Sequence, residues 1–129
     1  MMAAAHAYLM QDLDTDSGDY TTAEAYCSGN YYDFKLHNTH AYVKGTVKTA
    51  LPDDGLVVWW KFETDGEVEG WWPLFNPIKD EPGEYLTQPY EAGTVAYIDS
   101  YGQVGYGHMV GSTLYYTQDT NDVHASIPP

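Results

Sequence analysis

The sequence predicts an all-β protein, a single antiparallel sandwich or jelly roll of about eight or nine strands, with an open β-barrel as the alternative. Three observations lead there. Tyr and Trp number 13 and 4 while Leu and Ile are few, and these aromatic residues favour half-buried pleated surfaces. Twelve Gly and seven Pro are spread along the chain and punctuate it with turns. Between those turns, apolar and polar residues alternate with period two, clearest in residues 39–49 and 56–74.

Residues 3–10 (AAAHAYLM) suit either a helix or a strand, because neither caps nor a period decides between them. Residues 11–19 read as an acidic loop, so residues 1–19 form an arm and loop ahead of the sheet region. Residues 21–27 and 31–36 read as short strands around a Ser28-Gly29-Asn30 turn. In 39–49, Ala41, Val43, Gly45 and Val47 share one side, and His40, Tyr42, Lys44, Thr46 and Lys48 the other. That is a strand with one buried face and one wet face.

Leu51 to Gly55 makes a turn into a hairpin whose register can be argued. A two-residue Asp65-Gly66 loop pairs Trp60 with Trp71 and sends the apolar faces of the two strands to opposite sides. A three-residue Thr64-Asp65-Gly66 loop pairs Phe62 with Val68, Val58 with Trp72 and Leu56 with Leu74, all on one side. Since a slip of one residue flips a whole face, the apolar pattern selects the three-residue loop. Trp60 and Trp72 then point inward, while Trp59 faces Trp71 and Lys61 faces Glu69 on the other side.

Pro73 to Pro89 holds four prolines and reads as a long loop or edge cover. Residues 94–99 and 103–110 read as a second hairpin around Ser100-Tyr101-Gly102. A Gly111-Ser112 turn then leads into residues 113–117. Tyr97 and Tyr116 are expected to lie over Gly105 and Gly107, supplying the packing that glycine lacks. Residues 119–129 read as a flexible or partner-ordered tail. The whole chain, 1–129, is expected to be one domain, a common size for a single core.

Charge narrows the function classes. Five Lys and no Arg stand against 19 Asp plus Glu, a formal net charge of −14. That field repels phosphate backbones and anionic lipid, so nucleic acid is not an expected partner. It fits solubility, a salt-adapted host, cation binding or mimicry of a polyanion. The single cysteine, Cys27, excludes an intramolecular disulfide scaffold. No apolar run approaches the roughly 20 residues of a membrane span. Ala5-His6-Ala7 resembles a cleavage site but lacks a basic leader, so no signal peptide is expected. A virion or extracellular surface is the favoured location.

The most informative surface is the outward face of the Trp hairpin: Trp59, Trp71, Lys61 and Glu69. Exposed indoles there suit a protein interface or a sugar-stacking platform. Asp12, Asp14, Asp16 and Asp19 form an acidic run that could converge on Ca²⁺, although its glycine and glutamate miss the EF-hand positions. His37 and His40 are a weak metal pair, and Cys27 has no adjacent base. No pair of carboxylates has the setting of a glycosidase, and no catalytic residues are assigned. The expected role is a non-catalytic structural or assembly protein, such as a small virion-surface or capsid-decorating subunit, that contacts its own or neighbouring proteins. A carbohydrate-binding module is the alternative, and an acidic inhibitor that mimics a polyanion the third.

Overall fold

The computed structural model describes residues 6–129, and their organisation is almost entirely strand. In chain order the strands are β1 (Tyr8–Ser17), β2 (Thr21–Tyr32), β3 (Lys35–Val47), β4 (Gly55–Thr64), β5 (Glu67–Asn76), β6 (Tyr85–Val95), β7 (Ile98–Val110), β8 (Thr113–Gln118) and β9 (Val123–Ile127). They form two antiparallel sheets, β1-β2-β3-β6 and β5-β4-β7-β8, with β9 also paired to β7. Strands β8 and β9 follow one another along the same edge of β7, covering Gly105–Val110 and Ile98–Gly102 in turn. The described residues form a β-sandwich of nine strands, as the alternation predicts, and these do not close into a barrel.

The core lies between the sheets and is built from the inward residues of each strand. Strand β3 alternates as the sequence indicates, with Ala41, Val43, Gly45 and Val47 buried and their neighbours wetter. From the other sheet, Leu56, Val58, Phe62, Ile98 and Val104 meet them. The sheets approach so closely that two positions have no room for a side chain. A Cβ on Gly102 would sit 2.5 Å from Val43 Cγ1, and one on Gly45 would sit 2.5 Å from Val58 Cγ2.

Several elements differ from the sequence expectation, each for a local reason. Residues 11–17 are strand rather than loop, since their period-two alternation is completed by pairing with β2. Of the arm expected over 1–19, residues 1–5 lie outside the described residues. Strand β2 runs straight through Ser28-Gly29-Asn30 with a bulge, and the turn falls at Asp33-Phe34. The expected loop over 73–89 shrinks to residues 77–84 between β5 and β6. Ser100-Tyr101-Gly102 makes no turn but sits mid-strand in β7, where Gly102 serves the close approach to Val43. Residues 123–127, expected as a tail, are a core strand with Val123, Ala125 and Ile127 buried. Tyr116 does lie over Gly105, its Cε2 at 2.9 Å from a Cβ built there, whereas Tyr97 bonds instead to Glu63 and Gly66.

The β4–β5 hairpin resolves its register differently. Its loop is the two-residue Asp65-Gly66, with φ of 48° and 84°, both left-handed as a type I′ turn requires. Thr64 therefore pairs with Glu67 and Phe62 with Glu69. The mismatch of faces is absorbed by a bulge at Gly70 and Trp71, after which Trp60 pairs with Trp72 and Val58 with Leu74. Asp-Gly turn chemistry prevails at the tip, and the one-residue correction is made further along the strand.

Candidate functional site

The outer face of the second sheet carries a row of aromatic and charged side chains. The bulge puts Trp71 there: its φ of 67° is left-handed, an unfavourable setting for a bulky residue. Bulges commonly re-aim a side chain, and here the indole swings to the face that carries Lys61. Lys61 pairs in register with Tyr101 on β7, and Tyr101 with His124 on β9.

These four residues make a continuous row across four strands. Lys61 Nζ lies 4.8 Å from the Trp71 ring centroid and 4.1 Å from that of Tyr101. The Tyr101 and His124 rings stack at 4.1 Å and 9°. His124 Nε2 is 2.9 Å from Asp99 Oδ1, which fixes the imidazole over the tyrosine. A lysine between two aromatic faces is held by the negative quadrupole of each, so its charge is presented in a defined place. Burial, then the Asp99 charge, raises the Tyr101 phenol above its usual pKa, so it stays neutral here.

Two flanking groups frame the row. Trp59 is half-buried and meets Tyr116 edge to face at 5.7 Å, while Tyr116 donates to Gln103 Oε1 at 2.7 Å. On the other flank, Tyr97 donates to Glu63 Oε2 at 2.8 Å, and Asp65 Oδ1 accepts the Ala96 N–H at 2.8 Å. The hydrogen bond to Glu63 raises the Tyr97 phenol.

Measured against the sequence reading, Trp59, Trp71 and Lys61 do share this face. Trp59 and Trp71 are not cross-strand partners, however, because Trp59 pairs with Pro73. Glu69 pairs with Phe62 and so belongs to the opposite face, and Lys61 stands opposite Gly70. Trp60 is inward and 8% exposed as expected, but Trp72, on the same side of the sheet, is 68% exposed. Tyr101, Gln103 and His124 went unrecognised because β7 carries a glycine that mimics a turn and β9 reads as a tail. The signal was the period-two set Asp99, Tyr101, Gln103, alternating with Ile98, Ser100, Gly102 and Val104.

The acidic run has a different setting from the one expected. Asp12, Asp14 and Asp16 alternate along β1, so their carboxylates are spread along a strand at roughly 6.6 Å intervals. Each accepts a backbone N–H across the sandwich margin: Ser126 to Asp12 at 2.9 Å, His124 to Asp14 at 2.8 Å and Asn121 to Asp16 at 2.8 Å. Asp19 lies beyond the strand, with its own N–H bonded to Asp119. The four are not gathered around a common point. Among the described residues, no group of three or more His, Cys, Asp or Glu side chains is placed to hold a metal ion. His37 stacks on Tyr32 at 3.7 Å while His40 lies against Glu91, so these two are not brought together either. Cys27 is buried, and burial pushes its thiol up to about 12.

No protein-family model, curated protein or solved structure matches the chain. Among the described residues no helix is long and apolar enough to cross a membrane.

Proposed function

We propose that this chain is a non-catalytic assembly protein that contacts protein neighbours through aromatic β-surfaces, of the kind found in a small virion-surface or capsid-decorating subunit. One observation carries this reading: large apolar side chains stay exposed on several separate parts of the sandwich. Trp71 and Val68 lie on one face of β5 and Trp72 on the other, Leu13 on β1, Phe34 at the β2–β3 turn, and Met109 and Val110 at the far end of β7. A single ligand site concentrates such residues in one place, whereas a subunit with several neighbours distributes them. The −14 charge keeps free copies soluble until those surfaces are covered.

Sedimentation velocity over a wide concentration range, alone and with assembled particles, tests the reading. The expected result is self-association or co-sedimentation that weakens when Trp71 or Trp72 becomes Ala. A monodisperse monomer that joins no particle overturns it.

A carbohydrate-binding role has one observation in its favour: Trp71 is 47% exposed and carries the Lys61 ammonium 4.8 Å from its ring centroid. Tryptophan fluorescence titrated with a polysaccharide panel tests it, and an unchanged signal removes it.

A further inference from the structure

The two ends of the sandwich differ in shape, and each offers what the other lacks. At one end the β2–β3 turn projects Phe34, which at 91% exposure is the most exposed large apolar side chain among the described residues. Asp33 and Phe34 both have positive φ, 52° and 63°, in a two-residue turn where Asn and Gly are the favoured residues. A phenylalanine there costs about 1 kcal/mol or more of backbone strain. Neither folding nor core packing is served by it, since the ring is in water. Strain kept for an exposed aromatic side chain points to a use outside the monomer.

At the opposite end lies a cleft of about 460 Å³ with an apolar floor of Phe75, Ile78 and Met109. Its rim carries Asp54, Asp80 and Glu81 against one cation, Lys79. The strand pairings fix the two features at opposite ends. Leu36, just after the turn, pairs with Val95, while Gly55 and Gly107, near the cleft, pair with each other. The 13 residues of β3 separate the ends by roughly 40 Å.

Charge selects the occupant. Of the five lysines, Lys44 lies over Tyr85, Lys48 bonds Ser17 and Gly18, and Lys61 sits between Trp71 and Tyr101. Lys35, exposed and directly after Phe34, and Lys79, on the cleft rim, have no side-chain hydrogen-bond or ion-pair partner among the described residues. With Asp33 it leaves the turn electrically neutral in a chain of net charge −14. The turn is therefore a part of the surface that another copy can approach with little repulsion, and Lys35 would meet an acidic rim.

We propose that copies of this chain bind one another head to tail, with Phe34 of one copy entering the cleft over Phe75, Ile78 and Met109 of the next and Lys35 facing Asp80 and Glu81. The contact is heterologous, so repetition yields a ring or a filament rather than a closed two-fold dimer. This inference rests on the assembly reading above and names its partner. Because the net charges repel, association strengthens as salt is raised from low to physiological levels, where screening shortens the repulsion to about 8 Å.

Cysteine crosslinking tests the geometry, since the buried Cys27 does not compete. Lys35→Cys and Glu81→Cys variants, which keep Phe34 as the anchor, are oxidised separately and as a mixture. Disulfide-linked pairs are expected to form at least about tenfold faster in the mixture than in either variant alone. Equal rates in all three samples, or Lys35→Cys crosslinking fastest with itself, overturn the proposal. In sedimentation, Lys35→Glu is expected to weaken self-association about tenfold and the added pair Asp80→Lys, Glu81→Lys to restore it; a loss without rescue counts against the contact. If the wild-type chain stays monomeric yet joins an assembled particle, the head-to-tail contact fails while the assembly reading stands. If it does neither, both fail.

Discussion

Along the margin where β1 meets β9, three carboxylates take up backbone N–H groups of the neighbouring strand and its lead-in, and a fourth, from Asp119, grips the β1–β2 turn. Along the margin formed by β5, no neighbouring strand among the described residues lies beyond the edge, and tryptophans stand exposed on both of its faces. Both are sheet edges with the same problem of unpaired backbone groups and adjacent apolar surface. One solves it from within the chain. The other has only partial guards, namely a bulge, Pro73 and the charges of Glu67 and Glu69, and it leaves apolar area for something else to cover. The difference separates the part of the surface committed to folding from the part open to partners.

The largest effect expected from breaking this contrast is at Asp119. It sits where β8 gives way to β9, and that interruption frees its side chain to cross the sandwich. Its Oδ2 accepts from Tyr20 N at 3.0 Å, Thr21 N at 2.7 Å and Thr21 Oγ1 at 2.6 Å, and its Oδ1 from Asp19 N at 3.2 Å. Thr21 is fully buried, so its groups cannot turn to water instead. Asp119→Ala is expected to cost about 3 kcal/mol in urea unfolding, with Asp119→Asn losing about half as much. A loss under about 0.5 kcal/mol would show that the margin holds without this carboxylate.

The contrast also explains which parts were legible in the sequence. Strand β3 was readable because one alternation runs through both its faces, even though only β2 is a neighbour in sequence and β6 pairs with it from beyond β4 and β5. The hairpin of β4 and β5 was readable as a hairpin, but not its register. A bulge at Gly70 and Trp71 is one residue wide, and nothing in a Gly-Trp pair distinguishes it from ordinary strand. The aspartates of β1 were legible as an alternating set, yet their partners come from residues 121–126, more than 100 positions away. For the same reason β9 resembled a tail: five residues with little local signal, fixed by pairing with β7 and by packing against β1 and β2. Of the candidate face, Trp59 and Lys61 follow from the outward side of β4, whereas Trp71 of β5 reaches it only through the bulge. Tyr101 and His124 depend on those distant pairings.

A smaller effect sharpens the view that β5 is shaped for display. Trp71 combines a left-handed backbone with a ring lying against Lys61. Trp71→Ala keeps the strain and loses the ring contact, which is worth about 0.5–1 kcal/mol at an exposed site. Trp71→Gly loses the same contact but relieves a backbone cost of about 1 kcal/mol. The glycine variant is therefore expected to be more stable than the alanine variant by about 1 kcal/mol in denaturant unfolding. Equal stabilities would mean that the bulge is unstrained and that nothing is spent on aiming the indole.

The smallest stability effect should fall on the residue with the largest exposed indole. Trp72 lies on the core-facing side of β5, opposite Trp60, yet it stays exposed. Its neighbour Trp60 is nearly enclosed, so one cross-strand pair contains both a core tryptophan and a bare one. Trp72→Ala is expected to change unfolding stability by no more than about 0.5 kcal/mol, the usual range for a surface site. Trp60→Ala, by comparison, should cost about 3–5 kcal/mol, as for a large aromatic side chain removed from a core. The ratio of the two losses measures where the folding core ends along that pair. A loss of 2 kcal/mol or more at Trp72 would place β5 inside the core, and its surface would then be spoken for within the monomer. A negligible loss accompanied by weaker association would assign the indole to a neighbour.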